Sequence, residues 1–220
     1  MLVAVLAVVV NRALPAASPL LIAIVLGALL TNLWTIPESW SAGIQFTAKK
    51  LLRVGIVLLG LQLAVGDILS LGWRVIVGVI LVVTLSILGT LAMARALGIS
   101  RPLSILIACG FSICGAAAVA GVEDIADADE EEVATAIALV VLFGTLMIPL
   151  APLAAHAMGM GESAGGTWIG ASTHEVAQVV AAAGAYGASA LSVAVIVKLT
   201  RVVLLAPVAV ALSLAARSRG

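Results

Sequence analysis

Long apolar runs, interrupted at two places by small and polar residues, set the pattern of this chain. Eight hydrophobic segments can be marked, at about 2–11, 19–34, 51–66, 73–97, 102–121, 133–157, 167–185 and 189–214. Most approach the roughly 20 residues that a helix needs to cross the hydrocarbon of a bilayer. The predicted fold class is therefore all-α: a polytopic membrane protein of about eight transmembrane segments, two of them broken in the manner of a transporter core. The whole of 1–220 reads as a single transmembrane domain. Residues 2–10 have neither a charged leader nor an A-x-A site and read as a span rather than a signal peptide. The stretch 36–48, with Pro37, Glu38 and Trp40, reads as a connector in the interface, where Trp is favoured.

The interruptions are Gly110-Phe111-Ser112-Ile113-Cys114-Gly115-Ala116 and Gly170-Ala171-Ser172-Thr173-His174-Glu175-Val176-Ala177-Gln178. They match at a constant offset of 60 residues, Gly110 with Gly170, Ser112 with Ser172, Ala117 with Ala177 and Val119 with Val179. Non-helical backbone survives at membrane depth only where protein buries it or where it lines a cavity. Paired interruptions of this kind point to the binding site of a transporter.

Composition agrees: 63% of residues are hydrophobic and 10% charged, against about 25% charged in a typical soluble domain. Seven of the eleven acids fall within 123–132, so 122–132 reads as an acidic extramembrane loop, kept hydrated by its own repulsion. Basic residues set orientation, because Lys and Arg near span ends stay on the cytoplasmic side. Eight alternating spans with both termini inside put Lys49, Lys50, Arg53, Arg95, Arg101, Arg217 and Arg219 inside. Arg12, Arg74 and the acidic loop then fall outside. On that count the two broken segments point the same way, and they are inverted copies only if one of them is a re-entrant hairpin.

Away from the ends of the predicted spans the charged residues are few: Glu175, Lys198 and Arg201, with His174 beside them. A charge near the bilayer centre costs on the order of 2.5–3.5 kcal/mol, so such side chains face a cavity or a partner. Lys198 and Arg201 are three residues apart and share a helix face. Two cations with at most one nearby acid leave positive charge suited to an anion; the alternative is that Glu175 and a loop acid or lipid headgroup neutralise both. Ser172 and Glu175 have the S-x-x-E spacing of a capping box, which makes Glu175 either a cap or an ion-pair or proton carrier. His174 either titrates near neutral pH or serves as a plain hydrogen-bonding residue. A helix restarting after the Gly170 break presents free N–H groups and a positive dipole end, which suit an anion.

The candidate substrate-binding residues are Ser112, Cys114, Gly115, Ser172, Thr173, His174, Glu175, Gln178, Lys198 and Arg201. Cys109 and Cys114 have a poor spacing for a disulfide and read as small buried side chains. His174-Glu175-x-x-Gln178 lacks the second histidine of the H-E-x-x-H zinc motif. With no Walker loop, no G-x-S-x-G and no nucleotide fingerprint, no catalytic residue, metal ligand or cofactor is expected, and the chain does not read as an enzyme.

Four blocks carry a family resemblance: Leu51-Leu52-Arg53-Val54-Gly55-Ile56-Val57-Leu58-Leu59-Gly60-Leu61, Ser112-Ile113-Cys114-Gly115-Ala116-Ala117-Ala118, His174-Glu175-Val176-Ala177-Gln178-Val179-Val180-Ala181-Ala182 and Lys198-Leu199-Thr200-Arg201-Val202. They resemble the YeiH family of bacterial inner-membrane proteins (UPF0324), also called a sulfate exporter family. That family is similar in architecture to the bile acid:sodium symporter superfamily, in which a panel of helices packs on a core of crossed, broken helices. The resemblance implies a multi-pass protein of the bacterial inner membrane that exports a small inorganic oxyanion such as sulfate or sulfite, coupled to protons or to sodium. Its partners would be that anion and the lipid bilayer, with a homo-oligomer allowed and no nucleic acid. Members of the family are longer, so this chain reads as a truncated form of the architecture. The alternative is a non-transporting or channel-like integral membrane subunit whose buried charges are structural.

Overall fold

The computed structural model describes residues 72–217 and isolated positions between Leu6 and Phe46. Those positions apart, the predicted segments at 2–11, 19–34 and 51–66, the connector 36–48, and Arg12, Lys49, Lys50, Arg53 and Arg219 lie outside the described residues. Among the described residues the elements are helices: α1 (Trp73–Ala96), α2 (Arg101–Ser112), α3 (Ala116–Ala126), α4 (Glu130–Ala157), α5 (Glu162–Ser172), α6 (Val176–Tyr186), α7 (Ala188–Val203) and α8 (Leu205–Arg217). Three stretches there are long and apolar enough to cross a membrane: α1, α4 and the run Ala188–Arg217 formed by α7 and α8. The slight break inside that run has a local cause. Pro207 has no N–H to give Val203, and its ring crowds that carbonyl. On α1 and α4, Leu81, Leu85, Leu88, Leu142, Leu146, Leu150 and Leu153 stand exposed, which suits hydrocarbon rather than water.

The two broken segments are not spans. Ser100, which precedes α2, donates its hydroxyl proton to the Glu132 carboxylate in the first turn of α4. The start of α2 and the end of α3 therefore lie side by side, and α2–α3 is a re-entrant hairpin. The second pair repeats this. Glu162, the first residue of α5, accepts from the Ser189 N–H at 3.1 Å, just past the end of α6. Tyr186 at the end of α6 likewise donates to the Met160 carbonyl. At about 1.5 Å per residue a half-helix of 11 or 12 residues is about 17 Å long, enough to reach the middle of the bundle and no further.

Between the hairpins runs α4, about 42 Å long at that rise, so hairpin α2–α3 opens at its N-terminal end and hairpin α5–α6 at its C-terminal end. The packing agrees. One core gathers Ile105, Leu106, Val119, Val122 and Ala126 of the first hairpin around Ala136 of α4, with Leu205, Val208 and Leu212 of α8 against it. The other gathers Ile169, Val179, Ala182 and Ala183 around Ala151 of α4 and Ala194 of α7. Both tips reach the middle of α4: a Cβ on Gly110 would meet Val140, and one on Gly144 would meet the Gln178 side chain.

The sequence offset of 60 is a structural repeat. Helix α2 ends at Ser112 and α5 at Ser172; α3 begins at Ala116 and α6 at Val176. Each unit is one long helix followed by one hairpin, a single crossing, so successive copies are inverted by topology alone. Against the sequence expectation, then, the segments at 102–121 and 167–185 are hairpins, not parallel spans. The acidic stretch is corrected too: it sits beside Ser100 and Arg101, at the same end of the bundle rather than the opposite one. It is also mostly helix. Glu123 and Asp124 belong to α3, whose C-cap Asp127 takes φ 55°, and Glu130, Glu131 and Glu132 form the first turn of α4. Asp129 accepts from the Glu132 N–H at 2.8 Å and Glu132 accepts from the Asp129 N–H at 3.3 Å, a capping box at a helix end that favours negative charge.

Small residues let α5 and α7 touch. Gly166 and Gly170 have the G-x-x-x-G spacing, and a Cβ on either would lie 2.5 Å from the carbonyl oxygen of Ala190 or Ala194 on α7. This close approach carries α7 past the second tip, so that Lys198 and Arg201 arrive where the two hairpins meet.

Candidate functional site

Each re-entrant half-helix leaves backbone groups unpaired at its inner end, carbonyls on α2 and α5 and N–H groups on α3 and α6. In the interior these need partners. Lys198 and Arg201 of α7, 0% and 2% exposed, supply them for the carbonyls. Lys198 Nζ donates to Ile113 O at 2.7 Å and Thr173 O at 3.1 Å. Arg201 Nε donates to Ser112 O at 3.1 Å, and Nη2 to Ser112 O at 2.7 Å and Phe111 O at 3.0 Å. Nη1 donates to Ala171 O at 2.7 Å, Thr173 O at 3.0 Å and Gly170 O at 3.2 Å. Five carbonyl oxygens thus engage every N–H-bearing atom of the guanidinium, and the cations sit at the negative dipole ends of both α2 and α5.

The N–H ends use Glu175. Its Oε1 accepts from the Ala116 N–H at 3.4 Å, so a side chain of the second hairpin caps the second half of the first. Gly115 makes room for it: with φ 80° and ψ −141°, it lies where an added Cβ would strike the Glu175 side chain. Around α6 the capping residues are Glu175 and Gln178, whose Oε1 accepts from the Glu175 N–H at 3.0 Å. The box expected at Ser172 and Glu175 is therefore displaced by three residues. Ser172 closes α5 instead, donating to Trp168 O at 2.8 Å. The extended backbone of Thr173 (φ −82°, ψ 146°) ends α5 before any further turn can form.

Three buried polar atoms at the tips have no hydrogen-bond partner among the described residues: Ser112 Oγ, Thr173 Oγ1 and His174 Nδ1. The His174 ring meets the Phe111 ring edge-on at a centroid distance of 4.5 Å. Ser112, Ser172, His174 and Arg201 line an open cavity of about 550 Å³, closed on its other side by α1 through Val82, Ser86, Gly89, Thr90 and Met93. Phe111 and Trp168 complete the wall. Of the candidate residues, Cys114, Gly115, Thr173, Glu175, Gln178 and Lys198 belong to the junction of the tips rather than to the cavity wall. Cys109 and Cys114 are both buried free thiols. No cluster of His, Cys, Asp or Glu with metal-binding geometry occurs among the described residues.

Sequence reasoning did not find the α1 wall. Its signal was available: Ser86, Gly89, Thr90 and Met93 recur at helical spacing, a small and polar stripe on an otherwise aliphatic helix.

A bundle of long apolar helices holding two inverted hairpins, with a polar layer where they meet, defines an integral membrane protein. Comparison narrows the class: the chain belongs to the family described as conserved hypothetical protein 698, the UPF0324 membrane proteins, whose match covers residues 1–220. It is 53% identical over 215 residues to an UPF0324 membrane protein of Corynebacterium glutamicum, covering 98% of this chain and 62% of that relative. It is 41% identical over 189 residues to one from Listeria monocytogenes (86% and 56% covered) and 40% identical over 196 residues to one from Pseudomonas putida (87% and 56% covered). The chain thus spans about three-fifths of the length of these curated relatives. No solved structure matches it significantly.

Proposed function

We propose that this chain forms the substrate-binding core of a secondary transporter for a small oxyanion, such as sulfate or sulfite, in a multi-pass protein of the bacterial inner membrane. One observation carries the reading: two inverted hairpin tips meet half-way along α4 beside a cavity lined by Ser112 and His174, each of which also holds a buried polar atom with no partner among the described residues. Buried polar atoms without partners are rare in folded proteins and ask for a ligand or water. Ser112 Oγ donates to an oxyanion readily, and His174 Nδ1 does so when it carries the proton. The ionisable side chains at the junction, Lys198 and Arg201 against Glu175, lean to positive charge. An inverted pair of units around one central site is also the arrangement that alternating access uses.

A second reading, a membrane subunit whose buried charges are purely structural, has its own support. The Arg201 guanidinium is already occupied by main-chain carbonyls. On the transport reading Arg201 therefore acts on the anion through its field and by holding the tips, while the hydroxyls make contact. Uptake of labelled sulfate and sulfite into proteoliposomes separates the two, using this chain and the full-length Corynebacterium relative. Transport by the relative, lost when the residue matching Ser112 becomes Ala while the protein still inserts, supports the carrier. No uptake of any oxyanion, with melting temperatures indifferent to all of them, supports the structural subunit.

A further inference from the structure

We infer that the Lys198 ammonium fills a monovalent-cation site built from main-chain carbonyls of both hairpin tips, so that the chain carries its own cation where a coupling sodium would otherwise sit. The geometry is that of a shared ligand. Nζ lies 2.7 Å from Ile113 O in the first hairpin and 3.1 Å from Thr173 O in the second. Carbonyls freed where a membrane helix unwinds are the groups that coordinate sodium in transporters built from broken helices. A lysine ammonium is a compact point charge with three donors, and it is tethered here by a stem with no solvent exposure. Thr173, whose hydroxyl is buried and has no partner among the described residues, offers a further oxygen beside the carbonyl that Lys198 uses.

The charged surroundings fit one cation more than they fit two. Arg201, one turn further along α7, already shares Thr173 O with Lys198 at 3.0 Å. Glu175, two residues beyond Thr173, is the carboxylate at the tips among the described residues, and its Oε1 is turned to the Ala116 N–H. A sodium ion added to this cluster would lie against the Lys198 and Arg201 side chains, and the carbonyls it would use are taken. With Lys198 shortened, Ile113 O loses its Lys198 donor and Thr173 O keeps only Arg201, so a small monovalent ion can take the place of the ammonium. That transport does not run on a sodium gradient follows only if the carrier reading above holds. The cation site itself does not depend on that reading.

The test is thermal unfolding of the full chain in detergent, without any oxyanion, in lithium, sodium, potassium or choline chloride at constant ionic strength. Wild type is expected to melt at the same temperature in all four. Lys198→Ala is expected to melt lower in choline and to recover in sodium or lithium. The recovery should be about 5–10 °C at a cation concentration a hundredfold above its Kd. Lys198→Met, which keeps most of the stem, runs beside it in case the alanine variant does not fold. A wild type stabilised by sodium over choline overturns the inference, because sodium then has a site of its own. A folded Lys198 variant indifferent to every cation overturns it too. Failure of the carrier reading would appear elsewhere, in oxyanion uptake, and would leave these melting curves unchanged.

Discussion

Glu175 and Ala116 are 59 positions apart, and the carboxylate of one accepts the main-chain N–H of the other at 3.4 Å. The bond ties two hairpins that enter from opposite ends of the bundle. The cations of α7 do the same for the carbonyl ends, so the whole junction is held by side chains standing in for missing helical hydrogen bonds. Loss of the Glu175 carboxylate should therefore loosen the tips. Glu175→Ala is expected to cost about 0.5–2 kcal/mol, the range for a lost helix cap. Glu175→Gln, which keeps an acceptor oxygen, should cost less. Melting temperatures in detergent distinguish the two.

Arg201→Lys should be more damaging than its conserved charge implies. Lysine cannot spread donors over five carbonyls on two half-helices, so several carbonyls are left buried and unpaired, at about 1–3 kcal/mol each. A melting temperature lowered far more by Arg201→Lys than by Glu175→Gln is the expected outcome; a near-native value would mean that water replaces those bonds.

How much of this was legible in the sequence depends on what kind of signal each feature leaves. Helices α1 and α4 were plain, because unbroken apolar runs at 73–97 and 133–157 have one reading. The hairpins were not. Half-helices of 12 and 11 residues joined by three-residue tips add up to the length of one span, and hydropathy is blind to the direction of the second half. Charge misled for the same reason. Arg101 and the acids at 123–132 flank the first break, and a rule that sorts basic residues to one side assigned them to opposite faces, when Ser100 and Glu132 in fact touch. Lys198 and Arg201 were recognised as buried cations from their depth in an apolar run. Their partners were invisible, since main-chain carbonyls leave no mark in the residue pattern.

The three unpartnered atoms separate binding from stability. Ser112→Ala removes a buried hydroxyl that has no hydrogen-bond partner among the described residues, so no bond between them is lost and the melting temperature without ligand should stay close to that of the wild type. Affinity for the oxyanion, read as the shift in melting temperature with added sulfate or sulfite, should fall. A variant that loses stability but keeps the ligand response would contradict this assignment.

Close packing of α5 on α7 predicts a contrast between glycines. Gly170→Ala places a methyl 2.5 Å from Ala194 O and should destabilise by about 1–3 kcal/mol as the helices part. Gly78→Ala on α1 meets nothing within 4 Å among the described residues and should be neutral or slightly stabilising, since alanine favours a helix interior over glycine. Equal melting temperatures for the two variants would argue against the tight α5–α7 contact.

Accessibility of single cysteines from the two sides of a sealed membrane tests the inverted hairpins most directly. In a background with Cys109 and Cys114 replaced by alanine, cysteines at Leu97, Glu131 and Met158 are labelled in turn with a membrane-impermeant thiol reagent, in right-side-out and inverted vesicles. Hairpin topology predicts that Leu97→Cys and Glu131→Cys react from the same side and Met158→Cys from the other. Labelling of Leu97→Cys and Glu131→Cys from opposite sides would make α2–α3 a crossing span and contradict it.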